Sequence, residues 1–242
     1  MARWTVPGLF AVLALLAGVR ALHSLGEAVA NPTVRAGLVA VYFLLRTAVT
    51  VAFAALTLHR PAPLRPSREP AAFAACAVAM LLVIPIGGPG GGTSTGLVLT
   101  GDVIALLAGT WLLVSVLALG HCFGILPEAR GLVIRGPYRF LRHPVYLGEI
   151  GALAGLTLAE LTLSMSAAWS VAILGAFLVA QSIRMRMEED ALTAAFPEYR
   201  LYAAQTGRLL PRLRAYRQLP RRLDLSLVPP SASSVVTGDP GR

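Results

Sequence analysis

"RGPYRFLRHPVYLGE", residues 135–149, sets Arg135, Arg139, Arg142 and His143 against an apolar run that opens at Pro144. A proline suits the first turn of a helix, where its missing N–H is no loss. The spacing therefore predicts a helix starting at Pro144, with His143 at or near its N-cap. Tyr146 and Glu149 then stand three residues apart on one helix face. Glu149 lies about one and a half turns in, where a carboxylate needs a partner or a water-filled cavity. A charge in the middle of a membrane helix costs roughly 2.5–3.5 kcal/mol, so this carboxylate is not ornamental. Arginines at the helix mouth cost less, because their stems let the charge reach the surface. Gly148, Gly151 and Gly155 form a small-residue strip that lets another helix approach closely. The next apolar run along the chain is the expected neighbour.

The rest of the chain is just as apolar. Of 242 residues, 56% are hydrophobic and only 14% charged, with a mean hydropathy of +0.68. A soluble domain carries about 25% charged residues. The expected fold class is an all-α integral membrane protein. A spanning helix needs roughly 20 mostly apolar residues, and six runs qualify. They lie at about Val6–Leu22, Gly37–Leu58, Ala71–Ile86, Leu97–Phe123, Pro144–Leu161 and Met165–Met185. The first is read as a retained helix rather than a signal peptide, since no small-x-small cleavage site follows it.

All of the positive charge is arginine, and it alternates between loops. Arg60, Arg65 and Arg68 follow the second run, Arg130, Arg135, Arg139 and Arg142 the fourth, and Arg184 and Arg186 the sixth. The glycine-rich loop 87–96 and the loop 159–165 have none. Arginine collects on the cytoplasmic side, so both termini are expected there. The net charge of +9 suits anionic lipid headgroups. No nucleic-acid recognition module accompanies it. The glycine-rich loop lacks the lysine of a phosphate-binding loop and reads as a flexible outer connection. Cys76 and Cys122 sit far apart in apolar runs and read as buried thiols, neither a disulfide nor a zinc site. Past residue 211 the chain turns basic, then rich in Pro, Ser and Gly, and is expected to be a disordered tail.

If the last two runs form a hairpin, the start of one meets the end of the other. His143 and Tyr146 then converge with Arg184, Glu188 and Glu189, beneath a roof formed by residues 131–140. Such a pocket admits a polar cofactor from the cytoplasm and a lipophilic substrate from the bilayer. Arg184 and Glu188, four residues apart, are also spaced for a simple intrahelical ion pair.

These residues carry a resemblance. "GPYRFLRHPVYLG" followed by "EEDALTAAFPEYRLYAAQTGRLLP" (188–211) is similar to the isoprenylcysteine carboxyl methyltransferase and phospholipid methyltransferase family. Its pattern is G-x-Y, R-H-P-x-Y-x-G, a hydrophobic hairpin, E-E-x-x-L, F-x-E-Y-x-x-Y and a final L-P. The resemblance covers about residues 130–211. It divides the chain into four N-terminal transmembrane helices (1–129), a catalytic region with two more (130–211) and a tail (212–242).

The resemblance implies an integral membrane methyltransferase that uses S-adenosylmethionine; the absence of lysine and the heavy use of Ala, Arg, Gly and Pro fit a bacterial chain, hence an inner membrane, and the arginine distribution puts the pocket in the cytoplasm. Cofactor contacts fall, by motif, on Gly131, Leu132, Val133, Tyr138, His143, Pro144, Val145, Tyr146 and Glu188. Arg184 takes the role of orienting the methyl acceptor, with Glu149 and Tyr146 as further catalytic candidates. A prenylated cysteine, a phospholipid amine and a small hydrophobic acid all fit as acceptor, and no oligomeric state is implied. Glu149 stands where the prenylcysteine enzymes tend to carry an aromatic residue. "RHPxYxGE" is also similar to membrane sterol reductases that use NADPH, although those usually show Asn where this chain has Val145. A scaffold without chemistry is the third alternative, and it leaves the charged set unexplained.

Overall fold

Four of the apolar runs fold as long helices, in a computed structural model that describes residues 2–59, 70, 74–78, 95–124, 126, 129–159, 165–212 and 235–236. They are α1 (Ala2–Ala30), α2 (Val34–His59), α3 (Thr95–Leu119) and, after α4 (Pro144–Ala159), the helix α5 (Met165–Ala195). Within the four long helices, Gly8–Ala30, Val34–Leu58, Gly96–Cys122 and Ala168–Ala195 are long and apolar enough to cross a membrane. The fifth expected run forms α4, which is apolar but only 16 residues long. Of the third expected run, residues 74–78 are helical. The rest of that run, loops 60–69, 87–94 and 160–164, and tail residues 213–234 and 237–242 lie outside the described residues.

Local chemistry explains the breaks. Pro32 cannot continue α1, and the Thr33 hydroxyl accepts the Ala36 N–H at 3.1 Å to cap α2. Inside the helices, Thr47, Thr57 and Thr110 turn their hydroxyls back onto carbonyls one turn earlier, at 2.8 Å each. Those donors are thereby satisfied where no water would reach them. Helix α4 begins at Pro144, and the His143 carbonyl accepts the Leu147 N–H at 3.1 Å, so His143 stands at the N-cap.

The glycine strip of α4 faces α3, not α5 as expected from the chain order. A Cβ built on Gly155 would stand 2.5 Å from the Ala105 nitrogen, and one on Gly148 2.7 Å from the Leu112 Cβ. Gly101 is equally confined, 2.5 Å from the Ala159 nitrogen and from the Gly155 oxygen. The two backbones therefore run antiparallel in direct contact. The reason is that α3 offers its own small strip, Gly101, Ala105 and Ala108, to match. Helix α5 takes the other side of α4, where Leu153 and Leu156 join Ile173, Phe177 and Ala180 in one buried cluster. On the far flank of α3, Phe53 of α2 stacks on Phe123 at 4.8 Å and meets Phe10 of α1 edge-on at 5.3 Å.

Between α3 and α4 the chain forms a cap. It contains a short strand β1 (Leu132–Val133) and a 3-10 turn at Gly136–Arg139. Gly136 has φ of +56°, a conformation that favours glycine at the turn's start. After α5, a seven-residue helix α6 (Tyr199–Gln205) returns to this cap. From the expected tail, Val235–Val236 forms β2, paired in parallel with β1.

Candidate active site

Residues 199–208 strap the cap in place. The Tyr202 hydroxyl donates to the carbonyls of Tyr138 at 2.7 Å and Leu141 at 3.1 Å. The N–H groups of Arg142 and His143 donate to the carbonyls of Gly207 and Arg208, at 2.8 and 3.1 Å. These bonds fix the loop that leads into α4, and with it the positions of His143 and Tyr146.

Beneath the strap lies a small open cleft. Gly131, Leu132, Val133 and Tyr138 form one wall, and Glu188 with Leu192 of α5 another. Leu119 and Cys122 close one end, and Arg142, Tyr199 and Tyr202 complete the lining. Burial holds the hydroxyls of Tyr138, Tyr199 and Tyr202 above their ordinary pKa of 10.0, so they remain protonated donors.

Behind Glu188 is a denser polar cluster. The Tyr146 hydroxyl donates to Glu188 Oε2 at 2.7 Å. The Arg184 guanidinium lies over the Tyr146 ring, 5.0 Å from its centre. Arg184 Nη1 donates to Gln181 Oε1 at 2.7 Å and stands 3.6 Å from Glu149 Oε2, while the Gln181 amide donates to that same Glu149 oxygen. Glu149 thus has the partners that its depth in the helix requires. Gln181, Arg184 and Glu188 recur at three and four residues, so one face of α5 supplies all three. Arg184 and Glu188 do not form the intrahelical pair that their spacing permits. Among the described residues, Glu188 is held by Tyr146 of α4, and Arg184 meets Glu149 of α4 and Gln181 of its own helix.

The expected site residues fall into three groups. Gly131, Leu132, Val133, Tyr138 and Glu188 line the cleft. Tyr146, Glu149 and Arg184 form the cluster behind it. His143, Pro144 and Val145 sit deeper. His143 is 2% exposed, between Glu188 and Glu189. The Pro144 carbonyl accepts the Trp111 indole N–H at 3.0 Å. Val145 packs against the apolar cluster of Val49, Leu112, Val116 and Phe123.

Sequence reasoning did not single out Gln181 or Arg208. Cys76 is buried, as expected, whereas Cys122 is half-buried and lines the cleft. A legible signal existed only for Gln181, an amide seven residues before Glu188 within an apolar helix.

Residues 93–198 match the phospholipid methyltransferase family. That is a family of methyltransferases, and the matched segment takes in α3, the cap, α4 and α5. The resemblance carried by the motifs is borne out, and the reductase alternative gains no support. The chain is also similar to the cobalt-zinc-cadmium resistance protein CzcN of Cupriavidus metallidurans, at 35% identity over 86 residues, 36% of this chain. The nickel-cobalt-cadmium resistance protein NccN of Alcaligenes xylosoxydans xylosoxydans matches to the same extent. The aligned stretch spans 38% of the length of each relative. The apolar helices, together with this family match, make it an integral membrane protein.

Proposed function

We propose that the protein transfers a methyl group from S-adenosylmethionine to a lipophilic acceptor, at a site on the cytoplasmic side of a bacterial inner membrane. One observation carries the reading. Glu188 is both a wall of the open cleft and, through Tyr146, the neighbour of the half-buried Arg184–Glu149 pair. A cofactor compartment and an acceptor compartment thus share one residue pair.

The cleft suits the cofactor. Glu188 offers a carboxylate to the cofactor's positive charge, Gly131–Val133 offer main-chain groups, and the neutral Tyr138 and Tyr199 offer donors. When bound, S-adenosylmethionine supplies a methyl group on a sulfonium centre. The protein's part is alignment and exclusion of water. Tyr146 holds Glu188 by one oxygen. Glu149 and Gln181 hold Arg184, fixing the guanidinium that would orient the acceptor. A carboxylate acceptor needs only that cation. An amine, hydroxyl or thiol acceptor must lose a proton, and Glu149 is the carboxylate placed to take it.

The test is calorimetric binding of S-adenosylhomocysteine and of NADPH to the detergent-purified protein, side by side. Micromolar binding of S-adenosylhomocysteine alone is expected. Binding of NADPH alone would overturn the reading. Binding of neither by folded protein would leave a scaffold as the better account.

A further inference from the structure

Among the described residues that line the cleft, Glu188 is the one anion and Arg142 the one cation. The charge of Arg142 is only partly met within the protein. Its Nη1 stands 3.0 Å from Glu189 Oε1. The same carboxylate also serves Arg208, whose Nε donates to both of its oxygens at 3.0 Å. One carboxylate between two guanidinium groups leaves one positive charge over. The Arg208 side chain is exposed and can share its charge with water, whereas that of Arg142 is 13% exposed and lines the cleft.

Two polar groups on this side of the cleft are buried and lack a hydrogen-bond partner among the described residues. They are Arg142 Nε and the Tyr199 hydroxyl. A guanidinium can only donate, and a buried donor left unpaired is costly. The two groups are close enough for the Arg142 charge to act on the Tyr199 hydroxyl. Both are held firmly. The Arg142 N–H donates to the Gly207 carbonyl at 2.8 Å. Tyr199 is 2% exposed, in one buried cluster with Leu132, Phe196 and Tyr202. The Tyr202 hydroxyl, by contrast, is already spent on the cap.

A surplus positive charge beside two unpaired donors is a receptor for an anion that accepts at more than one oxygen. S-adenosylmethionine ends in an α-amino acid, with a carboxylate and an ammonium on one carbon. We propose that Arg142 and Tyr199 form the subsite for that carboxylate, with Glu188 taking the ammonium. The proposal rests on the S-adenosylmethionine reading of the cleft and deepens it. Glu189 then has a task although it lies outside the lining: it anchors Arg142 by one nitrogen and leaves Nε to the ligand.

The experiment compares two ligands by calorimetry in detergent, with folding followed by circular dichroism. One is S-adenosylhomocysteine. The other is its decarboxylated analogue, which keeps the thioether and the ammonium. Wild-type protein is expected to bind S-adenosylhomocysteine at least about tenfold more tightly. Tyr199→Phe, which removes only the hydroxyl, is expected to weaken S-adenosylhomocysteine about tenfold and to leave the analogue unchanged. Arg142→Lys, which keeps a charge for Glu189 but loses Nε–H, should show the same selectivity. Equal wild-type affinity for the two ligands would overturn the subsite without any variant. So would a Tyr199→Phe protein that loses both ligands equally, or neither. Failure of folded wild-type protein to bind either ligand would instead overturn the cofactor reading.

Discussion

Toward α3, helix α4 turns Gly148, Gly151 and Gly155 onto a backbone that all but touches its own. Toward the end of α5 it turns Tyr146 and Glu149, which are bonded to Glu188, Gln181 and Arg184. The first contact needs no side chain and tolerates none. The second is made only of side chains, each bound to a partner by direction. In a membrane there is little hydrophobic drive between helices, so close packing and polar contacts must supply the association. Here one short helix uses the two devices on separate faces. The seam sets where α4 lies, and the polar junction sets what it presents.

The comparison can be broken from either side. The largest effect is expected from Gly155→Leu, which drives a branched side chain into the α3 backbone and costs about 3 kcal/mol or more. Thermal unfolding in detergent should show it as a large fall in Tm. A Tm unchanged from wild type would mean that the seam is not the anchor of α4. Next comes Arg184→Ala, which should leave S-adenosylhomocysteine affinity nearly intact but lower methyl-transfer turnover about a hundredfold, through lost alignment. The reverse pattern would make Arg184 a cofactor ligand. Glu188→Ala should weaken S-adenosylhomocysteine about tenfold, or about 1.4 kcal/mol, read by calorimetry, with little change in Tm. The smallest effect lies away from both faces. Thr33→Ala removes the α2 cap and should cost about 1 kcal/mol of stability with turnover unchanged. A loss of turnover there would tie the α1–α2 turn to the site.

Much of this was legible because membrane helices announce themselves by length and composition. The start of α4 followed from Pro144, and the meeting of His143 and Tyr146 with Glu188 and Glu189 followed from a hairpin with its ends together. The partner of the glycine strip was misread for a physical reason. A small-residue strip says that some backbone will come close, and only a matching strip says which one. That match, Gly101, Ala105 and Ala108, was present in α3 at four- and three-residue spacing. Arg208 was hidden differently. It reaches Glu189 only because α6 and the parallel bridge between Leu141 and Gly207 bring it back, and no periodicity in one helix records such a return. Cys122 was read only as a buried thiol, because a cysteine in an apolar run looks the same whether it faces a packed core or a cleft.

The bonds from Tyr202 to the carbonyls of Tyr138 and Leu141 span 64 and 61 residues of sequence. A chain grows from its N-terminus, so the cap is made before the strap that holds it. Nascent protein that has completed α5 but not α6 already carries Glu188, Tyr146 and Arg184. It lacks the bonds that set the cap over them. The site therefore has a birth order: its charged residues are inserted first, and its architecture arrives with the last turn of helix.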